Sequence, residues 1–319
     1  MDTNNELDLK AIASQCSVGN NDVSPDVVVN NISNLSEYHT NEELLNLYNY
    51  FLTVEKSPRV LTYLIQCQDK YRDDSSIQAL IDILLFKQRP ENIDIDDYIN
   101  VRVMAAKAIA NHKNYSVVAP LLYCLNNKDE HYKIRLACAD ALGKIGDKYA
   151  VTPLIDLVQD EEEKSVYIKE SAASALGAIG DARAVEPLIS ILESKQGVFD
   201  KFSFLKERVI EALGKLNVGG DRVLKVVRKS LMDSSPMVRI NAIEYIMNSE
   251  CENAYDLIKP SLKDEDDEVK KNALIALYNI VGRDILDEVL AKDEFSDYLK
   301  EEAVLMIEEY ETDDEDEDE

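Results

Sequence analysis

Tryptophan is absent from the 319 residues, glycine occurs ten times and proline eight times. These counts exclude collagen-like, proline-rich and Gly/Ser-linker chains. No stretch approaches the roughly 18 uncharged apolar residues that a membrane-spanning helix needs, so no membrane contact is expected. The opening residues, MDTNNELDLK, lack the basic-then-apolar pattern of a secretory signal, and a cytoplasmic location is the expectation. Bases are scarce beside acids: 35 Lys and Arg stand against 62 Asp and Glu, a formal charge of −27. Binding a phosphate backbone takes a dense field of Lys and Arg, so nucleic acid is set aside as a partner. The acidic excess suits solubility, or a partner of basic character. It is uneven, with ten acids in residues 308–319 and nine acids against the single base Lys10 in residues 1–55.

Histidine and cysteine are also sparse. Cys16, Cys67, Cys124, Cys138 and Cys251 are scattered, odd in number and never spaced as CxxC, so they read as reduced, small apolar residues of helix cores. His39, His112 and His131 have no ligand-like spacing with one another or with the thiols, and no metal or cofactor is expected. The chain has no G-x-G-x-x-G, no G-x-x-x-x-G-K-[ST], no G-x-S-x-G and no H-E-x-x-H. Among so many acids, sequence proximity singles out no general acid or base, so no catalytic residue is assigned.

What the chain does have is a repeat. Seven segments share an aliphatic residue, a base, a small or aliphatic residue at the fifth position and apolar residues at the eighth and ninth. They are VRVMAAKAIA (101–110), IRLACADALG (134–143), IKESAASALG (168–177), LKERVIEALG (205–214), VRINAIEYIM (238–247), VKKNALIALY (269–278) and LKEEAVLMIE (299–308). Successive starts lie 33, 34, 37, 33, 31 and 30 residues apart. Positions 1, 5, 8 and 9 fall on one stripe of a helix with 3.6 residues per turn. Between these segments lies a second apolar helix, as in VVAPLLYCL, AVTPLIDLV and AVEPLISIL, with Pro120, Pro153 and Pro187 in its opening turn. Each unit is a helix pair too small to bury its own apolar face, so neighbours have to stack. Gly143, Gly177 and Gly214, at position 10, suggest a close approach by an adjoining helix, because Gly costs about 1 kcal/mol relative to Ala in a helix interior.

LGKIGDKYAVTPLIDLV and LGAIGDARAVEPLISIL resemble HEAT repeats of the short, phycobilisome-lyase-like kind. The resemblance is strong over residues 134–193, fair over 101–309 and degenerate upstream, where EELLNLYNYFLTV, PRVLTYLIQCQDKY and SIQALIDILLF look like weaker helix pairs. It implies an all-α fold, a right-handed α-α superhelix of about eight helix pairs. The expected boundaries are a poorly ordered or partly helical, Asn-rich leader over 1–40, the solenoid over 41–309 and a disordered acidic tail over 310–319. One HEAT-type enzyme family, the deoxyhypusine hydroxylases, holds two irons with His-Glu pairs; none of the three histidines here is followed by Glu.

Position 2 is basic in all seven copies: Arg102, Arg135, Lys169, Lys206, Arg239, Lys270 and Lys300. The resemblance implies a structural ladder of acids and bases between repeats, for which Asp129 and Arg135, Asp233 and Arg239, and Asp264 and Lys270 are the candidates, each Asp six residues before its base. It also implies that the second helix of each pair lines a concave recognition surface. Positions 3, 7 and 11 should then face outward, which makes Lys107, Lys144, Lys215, Ile240 and Ile275 candidate partner contacts. The 37-residue spacing reflects the segment KQGVFDKFSFL, where Phe199, Phe202 and Phe204 hold half of the six phenylalanines. Aromatic anchors dominate interface energies, so these three join the candidates. The functional expectation is a non-catalytic adaptor that binds a protein partner through the solenoid. The alternative is a bilin-lyase-like or chaperone-like factor in the maturation of a tetrapyrrole- or cofactor-bearing protein.

Overall fold

The computed structural model describes residues 8–85, 95–112, 114–193, 203–216, 220–249 and 251–316. Among them there are α-helices and short 3-10 turns and no strand. The chain divides into two compact units, Met1–Leu157 and Val158–Glu319.

The first unit holds α1 (Leu9–Gln15), α2 (Pro25–Asn34), α3 (Asn41–Val54), α4 (Pro58–Tyr71), α5 (Ile77–Leu84), α6 (Ile95–Asn111), α7 (Val118–Asn126) and α8 (Tyr132–Ile145). Helices pair as α3 with α4, α5 with α6 and α7 with α8, and the second members stack on one another as α4, α6, α8. Residues expected to form a leader join this stack: α1 packs on α3 and α2 on α4, the register of a further pair. Asp8 caps α1 by accepting from Ala11 N–H at 3.0 Å, and Val28 and Ile32, four apart on α2, are 2% and 0% exposed. The division between the units falls within α9 (Val151–Gln159). The second unit continues with α10 (Val166–Ile179), α11 (Val185–Glu193), α12 (Ser203–Leu216), α13 (Asp221–Ser230), α14 (Pro236–Asn248), α15 (Ala254–Ile258), α16 (Asp267–Val281), α17 (Asp284–Ala291) and α18 (Asp297–Asp316). Its second helices stack as α10, α12, α14, α16, α18. Helix α18 runs through the acidic residues to Asp316, past the boundary at 310 where a disordered tail was expected. Extending a helix already formed costs no new nucleus.

All seven repeat segments lie on second helices. The residues at position 5, Ala105, Cys138, Ala172, Val209, Ala242, Ala273 and Ala303, are each 0% exposed, and those at position 1 are at most 1% exposed. Small side chains at position 5 let neighbouring helices approach. Gly177 marks the tightest approach: a Cβ built there would stand 2.7 Å from Ala212 Cα and 2.9 Å from Ala212 Cβ, across from α10 to α12. At Gly214 the nearest neighbour would be Tyr245 Cδ2 at 3.8 Å, ordinary contact.

The joints follow local chemistry. Gly146 and Gly180 end α8 and α10 in the left-handed region, at φ +76° and +75°, donating N–H to the carbonyls of Leu142 and Leu176. The next residues, Asp147 and Asp181, accept the N–H two positions on, from Tyr149 at 2.9 Å and Arg183 at 3.0 Å, and start a 3-10 turn that leads into the following helix. Asn114 and Asp73 do the same for α7 and α5. Pro120, Pro153 and Pro187 are each third in their helix, where no intrahelical N–H bond is lost. Pro260 cuts α15 to five residues and turns the chain into a 3-10 stretch, Lys259–Lys263.

Four of the seven bases of position 2 are buried in these stacks, Arg102, Arg135, Lys169 and Arg239 being 8%, 5%, 1% and 5% exposed. Several donate to the carbonyl that ends the first helix of their own pair or its following turn: Arg102 Nε to Leu84 (2.8 Å), Arg135 Nε to Leu125 (2.8 Å), Lys169 Nζ to Asp160 (2.5 Å) and an Arg239 terminal nitrogen to Asp233 (2.8 Å). Arg102, Lys206 and Arg239 each reach a carboxylate of the next repeat. Arg102 binds Glu130 at 3.0 and 2.5 Å, Lys206 binds Asp233 at 2.9 Å and Arg239 binds Asp264 at 2.6 Å. The acids are themselves fixed by turn N–H groups: Glu130 by His131, Asp233 by Ser235 and Asp264 by Asp266.

The sequence pairing of each Asp with the base six residues later therefore needs correcting. Asp233 gives its carboxylate to the preceding repeat and only its backbone carbonyl to Arg239. Asp264 serves Arg239, while Lys270 pairs with Asp267 at 2.7 Å, one turn along its own helix. The acid on Arg102 is Glu130, and the neighbouring Asp129 is exposed. Arg102, Lys206 and Arg239 point toward the following repeat, so an acid six residues upstream lies on the wrong side of them, whereas Lys300 stands 3.9 Å from the upstream Asp293.

Two outcomes check this packing. Gly177→Ala should lower stability by about 1–3 kcal/mol through overpacking against Ala212, while Gly214→Ala should be neutral or stabilise by up to about 1 kcal/mol; urea denaturation of both variants reads the contrast. Arg239→Ala should cost about 1–3 kcal/mol by stranding Asp264. Arg222→Ala, which removes ion pairs exposed by more than half on the Arg222 side, should leave the melting temperature unchanged.

Candidate interaction surface

Along the second helices, position 7 carries Lys107, Asp140, Ser174, Glu211, Glu244 and Ile275, all exposed or half-buried, and position 11 is similar. Position 3 is different. Val103, Leu136, Glu170 and Lys271 are half-buried there, and Glu207 and Ile240 are buried. Ile240, expected to face outward, is 6% exposed and is withdrawn as a contact. A helix inside a stack has its pair partner on one side and the second helices of adjacent repeats on the others, so its covered arc is wider than the amphipathic stripe suggests. Ile275 stays on the surface, 36% exposed, and Phe204 is 64% exposed. Phe199 and Phe202 lie outside the described residues.

Lysines of this face are tied into bridges between repeats or along a helix. In the first unit Lys144 Nζ donates to Asn111 Oδ1, and Asn111 Nδ2 donates to Asp69 Oδ1, a polar chain across α8, α6 and α4. Lys107 is exposed beside it. In the second unit Glu211 is held between Lys215 at 2.7 Å and Arg208 at 2.5 Å. Burial pushes the Glu211 carboxyl up, but those two donors outweigh it and hold it below the usual carboxylate range. Burial raises the neighbouring Glu170, against the pull of Arg208 and with the push of Glu207. Lys271 Nζ reaches Glu302 at 2.9 Å, joining α16 to α18. On the first-helix side Glu288 accepts from Lys292 at 2.6 Å and Lys259 at 2.9 Å, which bring its pKa down to about 2.

Such a surface presents alternating charges and isolated apolar side chains. Among the described residues no group of three or more His, Cys, Asp or Glu is placed to hold a metal ion. No described helix is long and apolar enough to cross a membrane.

The HEAT-repeat sequence model matches residues 91–167, 129–200 and 200–278, together more than half of the chain. The chain belongs to the HEAT-repeat family. Its fold is similar to that of Kap95p in complex with RanGDP, at 15% identity and a TM-score of 0.59, covering 92% of this chain and 47% of that one. It is also similar to the UNC-45 chaperone that binds and folds muscle myosin (12% identity, TM-score 0.50, covering 92% and 45%). A third likeness is to the CpcE–CpcF complex of phycocyanin lyase from Nostoc sp. PCC7120, at 22% identity and a TM-score of 0.41, covering 90% and 94%. The chain thus spans about half the length of the first two. At these identities the likeness is one of fold. No curated protein matches the sequence.

One titratable group of this region escaped the sequence reading. The His112 side chain, just past α6, is 0% exposed and neither ring nitrogen has a hydrogen-bond partner; Nδ1 stands 3.7 Å from Asp74 Oδ1. Burial pulls the His112 pKa down, and Asp74, Asp69 and Asp73 pull it part of the way back. Because the folded value lies below that of an unfolded chain, near 6.5, the fold favours neutral imidazole. Its contribution to stability is complete above that pH and is lost as pH falls from there toward the folded value. Between pH 7 and 5 the wild-type melting temperature should therefore fall more steeply than that of His112→Leu. Parallel curves for the two proteins would show that another group titrates.

Proposed function

We propose that this protein is a non-catalytic scaffold that binds a protein partner of basic character along the exposed face of its second helices. The observation that carries the reading is the face itself. Repeat after repeat presents position 7 and position 11 side chains to solvent on helices whose spacing is locked beneath them. Polar groups on this face are bridged to one another and do not converge on a common centre, as a nucleophile, base and orienting group would. The −27 charge favours a basic partner through long-range attraction. Two similar folds, Kap95p with RanGDP and UNC-45 with muscle myosin, belong to proteins that bind other proteins.

The test is affinity purification from cells with identification by mass spectrometry, followed by binding measurements with the purified partner. Charge reversal at Glu244, and separately Ile275→Ser, should each weaken binding about tenfold or more at an unchanged melting temperature. A partner held equally by both variants would sink the assignment to this face. A turnover traceable to this chain would sink the non-catalytic reading.

A further inference from the structure

In the second unit position 7 is Ser174, Glu211 and Glu244 on α10, α12 and α14, and then turns apolar as Ile275 on α16 and Leu305 on α18. These two are 36% and 55% exposed, and Val304 beside Leu305 is 42% exposed. The helix α17 returns the chain between them, so α16 and α18 run the same way. Lys271 and Glu302 are bonded across this contact at 2.9 Å, and one helical turn farther on come Ile275 and Leu305, side by side. On the other flank of α16, Asn279 Nδ2 donates to Met247 Sδ at 3.5 Å, which sets Glu244, a turn before Met247, beside Ile275. With helix axes about 8–10 Å apart, Glu244, Ile275 and Leu305 make a row about 16–20 Å long. Exposed apolar residues are ordinary singly, but at one register of adjoining helices they form a patch.

The rim of this patch is acidic. Glu244 at one end of the row and Glu301, a turn before Leu305, are exposed, and neither is bonded to a base among the described residues. The bases nearby are already beside acids: Lys271 is held by Glu302, Lys270 by Asp267 at 2.7 Å, and Lys300 stands 3.9 Å from Asp293. The sequence adds no base here, since Glu250 and residues 310–319 include neither Lys nor Arg, and ten of residues 308–319 are acids.

We infer that this row docks an amphipathic helix of a protein partner, its apolar stripe seated on Ile275 and Leu305 and Lys or Arg flanking the stripe. Spacing selects a helix. Ile275 and Leu305 stand about 8–10 Å apart, and a helix brings residues i and i+7 to one face at about 10.5 Å, whereas a strand repeats one face at about 6.6 or 13 Å. Charge selects the partner. A second copy would lay its own acidic rim on this one, while bases beside an apolar stripe gain an attraction that salt screens. The inference rests on the protein-binding reading of function and names the form of the partner and the residues that seat it.

The experiment uses the full chain and a fluorescein-labelled helical peptide with leucines along one face and lysines and alanines elsewhere, followed by fluorescence anisotropy. A second peptide has the same composition in an order that spreads the leucines around the helix. The Ile275→Ser, Leu305→Ser variant should bind the first peptide about tenfold or more weakly than the wild type at an unchanged melting temperature. Binding should also weaken in the Glu244→Lys, Glu301→Lys variant, at high salt, and for the second peptide. The Phe204→Ser, Met237→Ser variant, which removes side chains 64% and 50% exposed elsewhere in the unit, should bind as the wild type does. Absence of binding by the wild type, equal binding of the two peptides, or equal binding by the Ile275→Ser, Leu305→Ser variant would overturn the inference. So would self-association in sedimentation that this variant abolishes, which would make a second copy the occupant. A purified partner that Glu244→Lys weakens and Leu305→Ser leaves unaffected would also overturn it, with the scaffold reading intact.

Discussion

A helix pair of thirty-odd residues cannot cover its own apolar stripe, and everything else in this structure follows from that deficit. Within each unit the second helices resolve it by lying directly on one another, and positions 1 and 5 are closed to solvent in all seven repeat segments. Such closeness demands small groups at the crossing. Where α10 meets α12 it demands no side chain at all, and the conformational cost of a helical glycine at 177 is offset by the contact it permits with Ala212.

Dense stacking creates an electrostatic problem, because Arg102, Arg135, Lys169 and Arg239 near the starts of second helices are enclosed by the stack. A buried guanidinium or ammonium without partners would cost several kcal/mol. The fold answers with two kinds of acceptor, the carbonyl that closes the first helix or its turn and a carboxylate from the following repeat. The carboxylate is in turn oriented by N–H groups of its own turn, so it is in place before the base reaches it. A ladder of this kind adds little where a hydrophobic contact could do the same work. Its geometric effect is to link the start of one second helix to the turn of the next repeat at Arg102–Glu130, Lys206–Asp233 and Arg239–Asp264.

Functional consequences come from what this arrangement leaves uncovered. Partial cover of position 3, complete at Glu207 and Ile240, leaves positions 7 and 11 as the most exposed arc of the second helices, where polar bridges run from helix to helix. At the turn edge of the second unit the side chain before position 1 cannot be covered by the neighbouring repeat, because the chain enters the helix there. Tyr167, Phe204 and Met237 are left in solvent for that reason.

The seven repeat helices and the prolines in the opening turns of the intervening helices were legible in the sequence, because each depends on residues within a few positions of one another. The burial of positions 1 and 5 was legible for the same reason, being a matter of helical period. The tertiary structure alone decided which acid meets which base, since Asp233 and Asp264 turn to the repeat behind them and Glu130, which no spacing rule singled out, meets Arg102. It decided that Ile240 is covered, that α1 and α2 continue the stack and that His112 is enclosed beside three aspartates. These are properties of neighbours about thirty residues away or more, and a local pattern carries periodicity along one helix but not the identity of what lies across from it.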